Sequence, residues 1–114
     1  MPTESLSNIC NHSLFDSKAE DITLLDVKEV SSFADEIIIA TANSNRHVNS
    51  VSEKLVEALK ENKINIIGVE GQPDSGWILV DCGDVVINIM RREQREFYDL
   101  ESLWGENEPK KKSI

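Results

Sequence analysis

Positive charge is in short supply in this chain. Its 12 lysines and arginines face 21 aspartates and glutamates, for a formal net charge of −9, and Lys110-Lys111-Lys112 holds three of the twelve. Phosphate-rich partners are bound by neutralising phosphates with Lys and Arg, so generic nucleic-acid binding is disfavoured. A basic protein surface is the more natural counterpart, because opposite fields steer the encounter. Cysteine is scarcer still. Cys10 and Cys82 stand far apart, form neither a CxxC pair nor a metal-ligand spacing, and favour free thiols in a reducing compartment over a disulfide. The densest apolar run, Ile37-Ile38-Ile39-Ala40, is far too short to cross a bilayer. No basic segment leads into an apolar one near the start, and Glu4 is out of place in an arginine-rich transit peptide, so a soluble, cytoplasmic protein is expected.

Catalytic motifs are missing as well. A Ser/His/Asp triad could be assembled only from scattered residues, because no nucleophile elbow is present. Asp81 and Asp84 flank a tight turn, and hard cations want oxygen ligands. Side chains on one face of a strand are two residues apart, however, and these are three apart with no third carboxylate adjoining. Shaping the turn is the ordinary role for such residues. Arg46-His47 opens a helix, where free amides could hold an anion, but nothing glycine-rich precedes it to bring a phosphate close. Completing the helix's first turn is the expected role. No catalytic residue, metal ligand or cofactor is therefore expected.

What the chain does contain is centred on residues 77–90, two apolar runs around a tight turn. Cys82-Gly83 sits where a two-residue hairpin loop needs positive φ, which glycine adopts without strain. The flanking runs are almost wholly apolar, which implies cover on both faces of the sheet. A length of 114 residues supports one domain and one core, and although only 39% of residues are hydrophobic they are clustered, as a folding chain requires.

Upstream, Leu6, Ile9, Cys10 and Leu14 recur at helical spacing within residues 3–16. Residues 22–27 and 36–41 predict strands, the second central because of its three isoleucines, with a turn or short helix over 30–35 between them. Ser44 or Asn45 caps a helix whose buried stripe is Val48, Val51, Leu55 and Leu59 and which Asn62-Lys63 ends. A strand over 64–69, a turn-rich loop over 70–76 and the central hairpin follow. Residues 91–104 predict a last helix with Phe97, Leu100, Leu103 and Trp104 as apolar contacts and Gly105 ending it; residues 106–114 read as a flexible polar tail beyond a domain spanning 1–105. The fold class is thus α/β (α+β-like): a single domain with a mixed sheet of about five strands flanked by helices. The last two strands must be antiparallel, whereas the helix after the second permits a parallel crossover to the third. Trp77 follows a loop, where it serves equally as an interface anchor or as a lid over the core, and Tyr98 shares that ambiguity.

Asp26-Val27, Ser31-Ser32, Asp35, Ala40-Thr41, Ser44 and Arg46-His47-Val48 stand together with a second series. That series is Gly68-Val69-Glu70-Gly71, Trp77, Asp81, Gly83-Asp84-Val85-Val86, Arg95, Tyr98, Leu100-Glu101 and Leu103-Trp104. In order and spacing, from Leu6 to Trp104, they resemble the ribosomal silencing factor family, also called Iojap. The chain departs from the family near Ala42 and Asn45, where glycine and serine are common, and at Asn88, where members carry histidine. The resemblance implies a nucleotidyltransferase-like fold without that enzyme's metal-binding carboxylate pair. It implies binding to the large ribosomal subunit through its ribosomal protein number fourteen, on the face that receives the small subunit. Subunit joining is then blocked and translation repressed when nutrients are scarce; some members are homodimers. Matched positions and side-chain chemistry together nominate Trp77 as apolar anchor, Glu70, Asp81 and Asp84 as acidic contacts and Tyr98 as a flanking contact. The competing reading is a nucleotidyltransferase-like, metal-dependent enzyme, which would need convergent carboxylates for Mg²⁺.

Overall fold

The computed structural model describes residues 5–32, 34–72, 74–100, 102 and 110–113. Extended, β-branched runs form β1 (Glu20–Asp26), β2 (Glu36–Ala42), β3 (Gly68–Glu70), β4 (Trp77–Asp81), β5 (Val85–Arg91) and β6 (Lys110–Ser113). They make one mixed sheet in the order β3-β4-β5-β2-β1-β6. β2 and β5 are parallel and every other neighbouring pair is antiparallel. The crossover after β2 thus carries the chain to the far edge, and β5, not β3, becomes the parallel neighbour of β2. β2 and β5 are the middle strands and are buried along nearly their whole length, as apolar strands covered on both faces are.

Helices α1 (Leu6–Asp16) and α2 (Asn45–Glu61) cover one face. Each is started by a serine whose hydroxyl accepts an otherwise orphan amide: Ser5 Oγ from Asn8 at 3.2 Å, Ser44 Oγ from His47 at 3.0 Å. Their apolar stripes meet Leu24, Ile38, Ala40, Val80, Ile87 and Ile89 in the larger of two cores. The smaller core lies on the opposite face, where Leu25, Val27, Ile37, Ile39 and Met90 are joined by Trp77 and Leu100. A short helix, α3 (Arg92–Tyr98), runs directly out of β5 beside that second face.

Three expectations change and one resolves. The strand expected over 64–69 is paired only as Gly68–Glu70, while Ile64 and Ile66 turn their side chains into the large core. Of the turn or short helix expected over 30–35, the described residues form the turn, with Val30 and Ser31 donating to the Val27 carbonyl. The expected last helix is interrupted: α3 stops at Tyr98, where Asp99 takes a left-handed conformation (φ 47°) and its amide returns to the Arg95 carbonyl, and Leu100 and Ser102 are helical again beyond that break. Within the stretch expected to be a polar tail, Lys110–Ser113 pairs with β1 as β6, so the sheet has six strands. The unpaired edge of β1 supplies the hydrogen bonds that a lysine-rich sequence does not advertise. Residues 1–4, Phe33, Pro73, Glu101, 103–109 and Ile114, with the expectations for Leu103, Trp104 and Gly105, lie outside the described residues. Among the described residues no helix is long and apolar enough to cross a membrane.

Candidate functional site

Antiparallel register puts directly opposed residues on the same face. Trp77 opposes Met90, Leu79 opposes Asn88 and Asp81 opposes Val86, while Glu70 opposes Leu79 from β3. Glu70, Trp77, Asp81 and Asn88 therefore share the face away from α1 and α2.

Trp77 enters this face from a tightly tied loop. Ser75 Oγ stands 2.8 and 2.9 Å from the carbonyls of Gln72 and Trp77, either of which can take its single proton, and accepts from the Trp77 amide at 3.2 Å. Gly71 passes so close that a Cβ there would stand 2.4 Å from the Trp77 carbonyl oxygen, and its φ of 123° belongs to glycine. The half-buried indole donates from Nε1 to Asn88 Oδ1 at 2.9 Å. That bond explains the one polar side chain inside the apolar run 85–90 of β5: a buried indole N–H requires an acceptor.

From Trp77 the aromatic surface continues outward. The Tyr98 ring lies 4.8 Å from that of Trp77 at an interplanar angle of 48°, and Phe97 meets Tyr98 edge-on at 5.0 Å. Phe97, expected to be an apolar contact of the last helix, is instead 81% exposed, and Tyr98 is 51% exposed. The residue that α3 buries is Arg95. Its Nη1 donates to the Asp21 carbonyl and to Thr41 Oγ1 (2.6 and 2.8 Å), and its Nη2 donates to Thr23 Oγ1 (3.0 Å). Asp21 sits in an irregularity of β1 at φ 49°, which turns its carbonyl toward this guanidinium. On the surface Arg92 adds an ion pair with the Asp21 carboxylate at 2.8 Å, and this hydrogen bond holds the Asp21 carboxyl below its usual pKa. Two arginines therefore fasten α3 to the sheet and fix where Phe97 and Tyr98 stand.

The five residues nominated from the sequence are only partly brought together. Trp77 and Tyr98 touch. Glu70 and Asp81 share the face of Trp77, but Asp81 lies four residues along β4, roughly 13 Å away. Asp84 stands exposed in the turn at the far end of the strand pair, where its carbonyl accepts from the Asp35 and Glu36 amides. That turn is Cys82-Gly83-Asp84, one residue longer than the expected loop, with Gly83 at φ 87° and Asp81 Oδ1 accepting the Gly83 amide at 2.8 Å. Asp81 therefore shapes the turn. Among the described residues no group of three or more His, Cys, Asp and Glu side chains is placed to hold a metal.

The remaining reactive groups are occupied or inert. His47 is a structural tie: Nδ1 accepts the Asn43 amide at 3.1 Å and Nε2 donates to the Ser17 carbonyl at 2.8 Å, joining the end of α1 to the start of α2. Both cysteines are free. Burial, with a smaller effect of Cys82, pushes the Cys10 thiol up to about 12. Burial and then the Asp81 charge raise Cys82. Neither is a thiolate nucleophile at neutral pH. Asn88, Arg95 and Phe97 are the site residues that the sequence did not nominate. Arg95 was visible as a matched family position, and Asn88 as the polar interruption of an apolar strand.

Comparison with known proteins agrees with this architecture. The model of the family described as "Ribosomal silencing factor during starvation" matches residues 2–114. The ribosomal silencing factor of Chromobacterium violaceum is 38% identical over 109 residues, covering 96% of this chain and 89% of that one. That of Bacillus subtilis is 35% identical over 106 residues, covering 93% and 90%. The mouse "Mitochondrial assembly of ribosomal large subunit protein 1" is 34% identical over 89 residues, covering 75% of this chain and 39% of its own length. A crystal structure from Chromobacterium violaceum superposes with a TM-score of 0.87 at 38% identity, covering 92% of this chain and 88% of that one. One from Bacillus halodurans superposes at 0.83 and 29% identity, covering 96% and 97%.

Proposed function

This chain belongs to the ribosomal silencing factor family, and we propose that it binds the large ribosomal subunit through ribosomal protein number fourteen and sterically blocks subunit joining. Repression of translation under nutrient limitation follows, in keeping with the family's description. The observation that carries the reading is the family match along residues 2–114. The face bearing Trp77, Tyr98, Glu70 and Asp81 is suited to a protein partner, since exposed aromatics with a polar rim are what such interfaces use. The net charge of −9 favours a basic ribosomal protein over bare RNA as the point of contact.

The mechanism needs no turnover. A standard interface of about 1,600 Å² is enough to seat a domain of this size, and its bulk then excludes the small subunit. The only chemistry asked of Glu70, Asp81, Asp84, Trp77 and Tyr98 is recognition. Gradient sedimentation of the purified chain with isolated large subunits, small subunits and joined ribosomes tests this. Co-migration with large subunits, and a fall in joined ribosomes when small subunits are added, is the expected result. Co-migration with small subunits alone would overturn the reading.

A further inference from the structure

Phe97 breaks the pattern of the rest of the molecule. It is the most exposed of the large hydrophobic side chains among the described residues, at 81%, yet it lies on a helix held by a buried arginine. Its orientation is also built in steps. Asn88 fixes the Trp77 indole, Trp77 stacks obliquely on Tyr98, and Tyr98 supports Phe97 edge-on. An aromatic side chain held in place at the surface loses little further entropy on binding, which is the property of an anchor. Trp77 is half-buried and its N–H is already engaged, so it has less area left to offer.

We infer that Phe97 is the leading apolar anchor for the basic ribosomal protein, with Trp77 acting as a positioning residue behind it. This rests on the proposed large-subunit binding and deepens it. The charges around the ledge favour that occupant. Arg91 is paired with Glu93 at 3.0 Å, Arg92 with Asp21 and Glu20, and Arg95 is buried under hydrogen bonds. The cations beside the ring are thereby engaged within the chain, while Glu96 and Asp99 stand exposed on either side of it. An apolar ring rimmed by carboxylates complements an apolar recess in a basic protein surface and repels phosphate.

The test measures affinity of the full chain for isolated large subunits, with wild type, Phe97→Ala, Phe97→Tyr and Trp77→Phe compared. Because Phe97 is exposed, Phe97→Ala should keep the wild-type thermal midpoint and weaken binding about tenfold or more, as loss of a hot spot does. Phe97→Tyr, which keeps the ring, should bind within about twofold of wild type, and Trp77→Phe, which loses the bond to Asn88 and part of the ring area behind Tyr98 but leaves Phe97 in place, should be intermediate. Equal binding by folded Phe97→Ala and wild type would overturn this inference and leave the proposed function standing. Failure of wild type itself to bind would overturn both. A Phe97→Ala chain that loses self-association in sedimentation equilibrium but keeps subunit binding would assign the ledge to a second copy and overturn the inference.

Discussion

The two faces of the sheet are closed in different ways. Toward α1 and α2 the cover is apolar: Leu14, Ile38, Val48, Val51, Leu55, Leu59, Val80, Ile87 and Ile89 are fully buried. The opposite face mixes a small apolar cluster with Thr23, Thr41, Asn88 and Arg95, all buried and all hydrogen-bonded. Apolar burial is non-directional and supplies stability wherever shapes fit. Buried polar networks contribute less net energy but specify one arrangement. The first face therefore holds the domain together, and the second holds Trp77, Tyr98 and Phe97 in a fixed pose at the surface.

The sharpest way to break that division is a truncation on the apolar face. Leu55→Ala removes a fully buried side chain from α2 and should lower unfolding free energy by about 3 kcal/mol in urea titration. Affinity for large subunits, counted per folded molecule, should not change. A parallel loss of affinity would mean that the two faces are not separable.

Arg95→Met is the corresponding change on the polar face. It keeps much of the side-chain volume but takes the guanidinium donor from the Thr41 and Thr23 hydroxyls and from the Asp21 carbonyl, which keeps only the long 3.4 Å bond from Thr23 Oγ1. Leaving such groups unsatisfied costs about 2 kcal/mol. Unlike Leu55→Ala, this variant should also lose affinity, because α3 is no longer fastened. Amide exchange should then rise in Arg92–Tyr98 before it rises in α2. Stability loss with α3 protection intact would show that the arginine does not position the aromatic ledge.

The same contrast explains what the sequence made legible. β1, β2, β4 and β5 announce themselves through β-branched apolar runs, and α2 through its stripe and its Ser44 cap, because apolar burial leaves a periodic trace. The polar face leaves none. Arg95 is the inward residue of α3 and Phe97 an outward one, the reverse of what hydropathy suggests, so the periodicity over 91–104 misplaced Phe97 and missed the break at Asp99, while Leu100 packs against the smaller core as expected. Strand register was equally hidden. Trp77 and Tyr98 could each be nominated from sequence, but their 4.8 Å contact and the indole bond to Asn88 depend on how β4, β5 and α3 meet. β6 was missed because its pairing comes from the open edge of β1 and not from its own lysines.

The smallest effect separates Arg92 from Arg95. Arg92 reaches the Asp21 carboxylate across the surface, with half of each side chain or more in solvent, so water and salt screen the pair. Asp21→Asn tests it cleanly, because asparagine tolerates the φ of 49° found there and leaves intact the Asp21 carbonyl that Arg95 uses. The folded carboxyl is held below its unfolded-state pKa by Arg92. Its contribution is therefore present above the unfolded value and is lost as pH falls through the lowered folded one. At neutral pH and low salt the variant should be slightly less stable than wild type in thermal unfolding, and the difference should vanish in strong acid or in 1 M salt. The loss caused by Arg95→Met should persist in that salt, since its bonds are buried beneath α3. If salt erased both differences alike, the fastening of α3 would be a surface charge effect, and the polar face would have no buried network to set it apart.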